Sequence, residues 1–107
     1  MEPLLVLTNV PDVANAEKLA RALVEGRAAA CVNVLTACRS IYSWQGRVDT
    51  AEEIPLLIKT TAENYPQVEV IVRAHHPYAV PELIAVPITH GLPAYLDWMA
   101  KETEKHD

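Results

Sequence analysis

AAACVNVLTACRSIYSWQGRVDTAEEIPLLIKTT, Ala28 to Thr61, is the stretch whose reading decides the fold. Val32, Val34, Ile41 and Tyr42 mark extended chain running in, and Val48 and then Ile54 to Thr61 mark it running out. β-Branched and aromatic residues on either side of a dipeptide containing glycine, here Gln45-Gly46, are a hairpin signal. The arms from Cys31 onward are long. Strands usually run ~5–6 residues, and each arm here has room for about twice that at ~3.3 Å per residue. Arms of that length overhang a chain this small and carry Tyr42 and Trp44 into water unless something covers them. A second copy of the chain is the expected cover, so the hairpin reads as an assembly arm first.

Working outward, Pro3 to Val10 (PLLVLTNV) is a short continuous apolar run, as in a strand covered on both faces. Pro11-Asp12 ends it, and Asp12 is placed to cap a helix. Ala16, Leu19, Ala20, Leu23 and Val24 then recur at three- and four-residue steps, a helical stripe. Gly26 stands where a left-handed C-cap belongs. Downstream, Thr60 or Thr61 offers a cap, Pro66 is tolerated in a first turn, and Val68, Ile71, Val72 and His75 continue one helical face. His76-Pro77 breaks that helix, because a residue before proline is pushed out of the α region. Glu82 to Ile88 reads as a fourth strand, and Pro87, with no N–H for a ladder, puts it at an edge. Tyr95, Leu96, Trp98 and Met99 lead a last short helix, followed by a charged tail, 101–107, expected to fray. The order β-α-β-β-α-β is the ferredoxin-like arrangement. The expected fold is α+β: a βαββαβ sandwich over residues 1–107 as one domain, with a long hairpin between its second and third strands and an extra C-terminal helix. Right-handed crossovers put the fourth strand beside the first.

The chain has 107 residues and a net charge of −5. It has no basic run, hence no electrostatic footprint for nucleic acid or an anionic membrane. No apolar run approaches the ~20 residues that span a bilayer. Met1-Glu2-Pro3 leads into a strand without a basic n-region, so no signal peptide is expected. Cys31 and Cys38 lie seven positions apart in extended chain, roughly 23 Å at ~3.3 Å per residue, beyond disulfide reach. Reduced thiols and a cytoplasmic setting follow.

Among residues able to carry chemistry, His75 and His76 lead, since imidazole suits Cu(II), Ni and Zn. Adjacent positions on a helix point ~100° apart, so the two need not act alike. A favourable helix-dipole position also accounts for them. His90 lies across a strand from this corner, and His106 sits in the tail. Cys31 reads as a small buried hydrophobe, and Cys38, beside Arg39, as the more accessible thiol. Lys59 interrupts an apolar strand, where a charge calls for a partner. With Glu82, Tyr78 and Trp44 it is a candidate lining for a cleft between subunits that takes a small anion or metabolite. A structural ion pair explains Lys59 equally well. No phosphate loop, nucleophile elbow or paired-carboxylate motif is present.

Four strings carry a family resemblance: Arg27-Ala-Ala-Ala-Cys31-Val-Asn33, Ser40-Ile-Tyr-Ser-Trp44-Gln-Gly46-Arg-Val48, Leu57-Ile-Lys59-Thr60-Thr61, and His76-Pro-Tyr78-x-Val-Pro81-Glu82-Leu-Ile-Ala-Val-Pro87-Ile, closed by Tyr95-Leu-x-Trp98. In this order, over nearly the whole chain, they resemble the CutA divalent-cation tolerance proteins. The resemblance implies a ferredoxin-like subunit in a tight homotrimer, with hairpin residues Ile41, Tyr42, Trp44 and Val48 in the interfaces. It also implies an association with copper or other divalent cations; a reaction is not part of what it carries, and no enzymatic activity is expected. Kinship in shape with the trimeric PII signalling proteins keeps open a small-molecule sensor with ligands in the intersubunit clefts. A trimeric scaffold for an unidentified protein partner is a third reading. One departure stands out. Some members carry a first-strand cysteine given, with the paired histidines, as a copper ligand; the matching position here is Thr8, a poor ligand for Cu(I).

Overall fold

One strand organises the molecule. In the computed structural model, which describes residues 1–105, β4 (Arg47–Thr61) runs 15 residues without a break. It pairs antiparallel with β1 (Pro3–Val10), β2 (Cys31–Val34) and β3 (Cys38–Trp44). β5 (Ile84–Pro87) adds to the outer side of β1, giving the order β2-β4-β1-β5, with β3 paired to the projecting half of β4. α1 (Val13–Glu25) and α2 (Tyr65–His75) pack on each other and α1 on the sheet, while α3 (Pro93–Glu102) packs against β4 and β1. This is the ferredoxin-like α+β order with an added C-terminal helix. His106 lies outside the described residues.

The turn is where the sequence puts it. Gln45 and Gly46 have φ of 50° and 77°, the two left-handed residues of a type I′ turn, whose twist matches that of its strands. The ingoing arm, however, is two strands and not one. β2 stops at Val34 and β3 begins at Cys38. The cause sits across the ladder, at Pro55. Its carbonyl accepts the Leu35 N–H at 3.0 Å, so its nitrogen faces the same neighbour and offers no hydrogen. One ladder hydrogen bond is therefore missing there, and after Leu35 the partner strand leaves the ladder over Thr36 and Ala37 before rejoining it at Cys38, opposite Glu53.

α1 starts as expected, with Asp12 Oδ1 accepting the Asn15 N–H at 2.8 Å, and it buries Ala16, Leu19 and Leu23. Its end differs from expectation. Gly26 has φ −80°, and Arg27 takes the left-handed conformation at φ 57°. Gly26 is needed for space, since a Cβ there would lie 3.0 Å from the Ala22 carbonyl oxygen. Arg27 is held by its guanidinium, which donates to the Glu102 carbonyl at 3.1 Å. That bond also secures the segment expected to fray: Lys101 and Glu102 are helical, and Thr103 is buried, donating to Met99 O at 2.9 Å.

Neither Thr60 nor Thr61 caps α2 by its side chain; the Thr60 hydroxyl instead donates to Ala28 O at 2.5 Å, tying the end of β4 to the entry of β2. A 3₁₀ turn over Ala62–Asn64 leads into the helix. His76 adopts φ −81°, ψ 133°, extended ahead of Pro77. β5 is shorter than the expected Glu82–Ile88: only Ile84–Pro87 pair, with Leu4 to Leu7 of β1, and the strand is at the edge.

The core lies between the sheet and the two helices, where Val6, Val10, Leu19, Leu23, Leu56 and Ile58 meet Val68 and Val72. Each such side chain contributes about 1.5–3 kcal/mol when buried. The hairpin reaches beyond this core and accounts for a long axis of 44 Å. Its register sorts its side chains onto two faces. Tyr42 and Trp44 share one face with Glu53, while Ile41 (69 % exposed) and Val48 (78 %) share the other.

Candidate functional site

The chain after α2 returns along the end of β1 and is fastened there by three contacts. His76, buried, has its Nε2 2.6 Å from the Asn9 carbonyl oxygen, and the Tyr78 N–H donates to its Nδ1 at 3.2 Å. A carbonyl only accepts, so the proton is on Nε2 and the lone pair of Nδ1 is engaged. The Thr8 hydroxyl donates to the Glu82 carbonyl at 2.6 Å, and Asn9 Nδ2 donates to Glu82 Oε1 at 3.1 Å. The His76 ring also rests on Tyr78, centroids 4.8 Å apart.

His75, half-buried on the last turn of α2, has its Nδ1 3.0 Å from the Ile71 carbonyl oxygen. The same argument protonates Nδ1 and leaves the Nε2 lone pair unused. The adjacent histidines therefore differ in kind: one has an available ring nitrogen and the other has both engaged. Thr8 is buried with its hydroxyl committed to Glu82. His90 is exposed, with Nδ1 3.1 Å from Thr89 Oγ1. It follows β5, whose Pro87 lies against Leu4 and whose next residue, Ile88, donates to Pro3 O. The histidine corner is at the Asn9 end of β1, so His90 stands at the other end. Among the described residues no three His, Cys, Asp or Glu side chains gather in a metal-holding group.

Between the cleft face of the hairpin and the Tyr78–Glu82 segment lies a cleft of about 660 Å³, lined among others by Tyr42, Trp44, Glu53, Tyr78 and Glu82. Tyr78 donates its hydroxyl to Glu53 Oε2 at 3.2 Å. Its phenol is pushed above the ordinary tyrosine range, by burial first and then by the Glu53 charge and hydrogen bond. Trp44, Tyr78 and Glu82, expected to line a cleft between subunits, line this cleft within one chain. Lys59, grouped with them for the intersubunit cleft, is not among its lining residues. Along β4 it is six residues from Glu53, roughly 20 Å at ~3.3 Å per residue. It sits opposite Leu5 and Cys31, with Nζ donating to Asn33 Oδ1 and lying 3.9 Å from Cys31 Sγ. Cys31 and Cys38 are both free and only partly buried. Their partners on β4 are Lys59 and Glu53, which sets them as far apart.

Glu53 was missed in the sequence because it looks like one more surface acid beside Glu52. The signal was parity: once the turn is fixed at Gln45-Gly46, Trp44, Tyr42 and Glu53 fall on one face. Asn9 had no comparable signal, since its role comes from the return of a segment 67 residues later.

Comparison with known proteins gives one answer. The family model described as CutA1 divalent ion tolerance protein matches residues 4–102. The divalent-cation tolerance protein CutA of Thermus thermophilus is 48 % identical over 99 residues, 92 % of this chain and 96 % of that protein. The solved Thermus thermophilus structure has a TM-score of 0.94 at 46 % identity, covering 95 % of this chain and 99 % of that one. CutA1 from Oryza sativa has a TM-score of 0.95 at 35 % identity, covering 99 % and 97 %.

Proposed function

The chain belongs to the CutA1 divalent ion tolerance protein family, and from that premise we propose that it serves cation tolerance as a non-enzymatic, cytoplasmic homotrimer that binds a divalent cation, copper foremost. The single observation carrying the metal part is the half-buried His75 with its free Nε2. Imidazole nitrogen suits Cu(II) and Zn(II).

The donor set fits such an ion only in part. Each chain offers one unengaged imidazole nitrogen at this corner. His76 joins as a ligand only by giving up the Tyr78 N–H, and the buried Thr8, its hydrogen donated to Glu82 O, has only a neutral hydroxyl oxygen to offer. His75 would hold the ion and His76 would brace the chain beside it, with water or neighbouring copies completing the shell. Such a site is weak and favours Cu(II) over Cu(I). The assembly part rests on Ile41 and Val48, whose exposure on a projecting arm calls for a cover.

Calorimetric titration of Cu(II) and Zn(II) into metal-free protein tests the reading. Saturable binding that disappears in His75→Ala supports it. Binding that is indifferent to His75 overturns it.

A further inference from the structure

We propose that Cys31 and Lys59 are a redox modification site, where hydrogen peroxide oxidises the thiol and the lysine amine captures the product as a sulfenamide. The result is a covalent Sγ–Nζ link between β2 and β4. It uses neither the His75 corner nor the projecting arm.

Register builds the pair. Cys31 and Lys59 are direct cross-strand partners, 28 residues apart in sequence, so their side chains leave the same face of the sheet. Lys59 Nζ lies 3.9 Å from Cys31 Sγ and donates to Oδ1 of Asn33, which is two residues along β2 and so on that face as well. On the other side of β4 the partner of Lys59 is Leu5. Both hydrogen-bond partners of the amine are therefore neutral, and they turn a long, flexible side chain toward β2. The backbone is fastened at the same point, since the Ala30 N–H donates to the Lys59 carbonyl at 2.9 Å. Both reacting atoms belong to one chain and to the paired part of the sheet. A second copy covering the hairpin leaves the pair intact.

The chemistry follows from what stands beside the sulfur. Peroxide takes two electrons from the Cys31 thiol, giving a sulfenic acid and one water. The lone pair of a neutral Lys59 amine then attacks the sulfur. The S–O bond breaks as the S–N bond forms, and the oxygen leaves as a second water with a proton from Nζ. Overall the thiol and the amine lose one hydrogen each. Sulfenic acids condense with a nearby thiol or nitrogen when one is in reach. No thiol of the same chain is: Cys38 pairs with Glu53, and Glu53 is roughly 20 Å from Lys59 at ~3.3 Å per residue. Cys38 is also free and partly buried, but its neighbours are the Ser40 hydroxyl at 3.8 Å and the Glu53 position across the ladder. Neither brings an amine, so Cys38 is not a second such site.

The test exposes the full-length Cys38→Ser protein, assembled as purified, to hydrogen peroxide and reads intact mass and a peptide map. The expected product is lighter by two hydrogens, joins the Cys31 peptide to the Lys59 peptide, and returns to the starting mass with dithiothreitol. Lys59→Arg keeps a cation beside Cys31 and removes the amine; it is expected to gain oxygen at Cys31 and form no link. Loss of the same two hydrogens in Lys59→Arg would put the link on a backbone nitrogen and overturn the proposal. So would oxygen gain without a link in the parent, a disulfide between Cys31 of two chains, or a Cys31 that stays unoxidised in the assembly. The peptide map of the parent decides alone if Lys59→Arg does not fold.

Discussion

His76 reaches back 67 residues to Asn9, its Nε2 2.6 Å from that residue's carbonyl oxygen, and so pins the segment after α2 to the end of β1. The same ring receives the Tyr78 N–H, so one buried side chain sets both the path of the segment and the position of the cleft wall. Replacing His76 by alanine leaves a carbonyl and an amide without their partner. At about 1–3 kcal/mol for an orphaned buried group, His76→Ala is expected to lose roughly 2 kcal/mol or more. His75→Ala, at a half-exposed position, is expected to stay within about 0.5–1 kcal/mol of the parent. Urea unfolding at matched protein concentration compares them, and equal losses would show that the His76 bonds are not the anchor.

Thr8 is the second fastening. Thr8→Val keeps the volume and removes the donor to Glu82 O, with an expected loss of about 1–3 kcal/mol. Thr8→Cys is expected to raise Cu(I) affinity, because a thiolate suits that ion where a hydroxyl does not. Thermal unfolding and competition with a Cu(I) chelator give the two readouts; an unchanged Cu(I) affinity would detach position 8 from the histidine corner.

The hairpin tip is set by backbone conformation alone. A Cβ at Gly46 meets nothing within 4 Å, yet its φ is 77°, so Gly46→Ala is expected to cost about 1–2 kcal/mol of left-handed strain without any clash. Gln45→Gly, at φ 50°, is expected to be neutral or stabilising. A Gly46→Ala variant as stable as the parent would mean the turn relaxes to another type.

Ile41→Asp and Val48→Asp alter the hairpin face opposite Tyr42 and Trp44 and are expected to shift the proposed trimer toward monomer in sedimentation velocity, by placing a charge where apolar cover is expected. Trp44→Asp is expected to weaken assembly as well. Retention of the trimer by all three would move the interface elsewhere.

Tyr78 gives a pH signature. Its phenol titrates above the ordinary 10.0, through burial and the Glu53 charge, so above pH 10 the folded chain holds this proton more tightly than the unfolded chain. Stability from this source is full below the unfolded value and is lost as pH rises through the folded one. Tyr65 is raised as well, by burial and Glu69, so the informative quantity is a difference. Tyr78→Phe is expected to lose stability less steeply above pH 10 than the parent, and equal slopes would remove the coupling to Glu53.

The sequence carried the fold well because its punctuation is local. Pro11-Asp12, Gln45-Gly46 and His76-Pro77 each end an element through backbone rules that need no tertiary information. Pro55 obeys such a rule too, but its effect falls on the neighbouring chain, where Thr36 and Ala37 leave the ladder. That effect becomes visible only once the register is known. The site was legible by halves. Trp44, Tyr78 and Glu82, read as lining a cleft between subunits, meet within one chain, while Lys59, grouped with them, lies with Asn33 and Cys31. Chemical complementarity between residue types did not locate it; distance along β4 did.

β4 belongs to the projecting arm and the core sheet at once, which gives the arm a mechanical character. A force at the hairpin tip does not meet a flexible joint on its way inward. It travels along the strand into the eight paired positions shared with β1, whose hydrogen bonds lie across the strand direction and so are loaded together in shear. The arm is a stiff beam rooted in the sheet, and a push at its tip is borne directly by the part of the fold that holds Asn9 and His76.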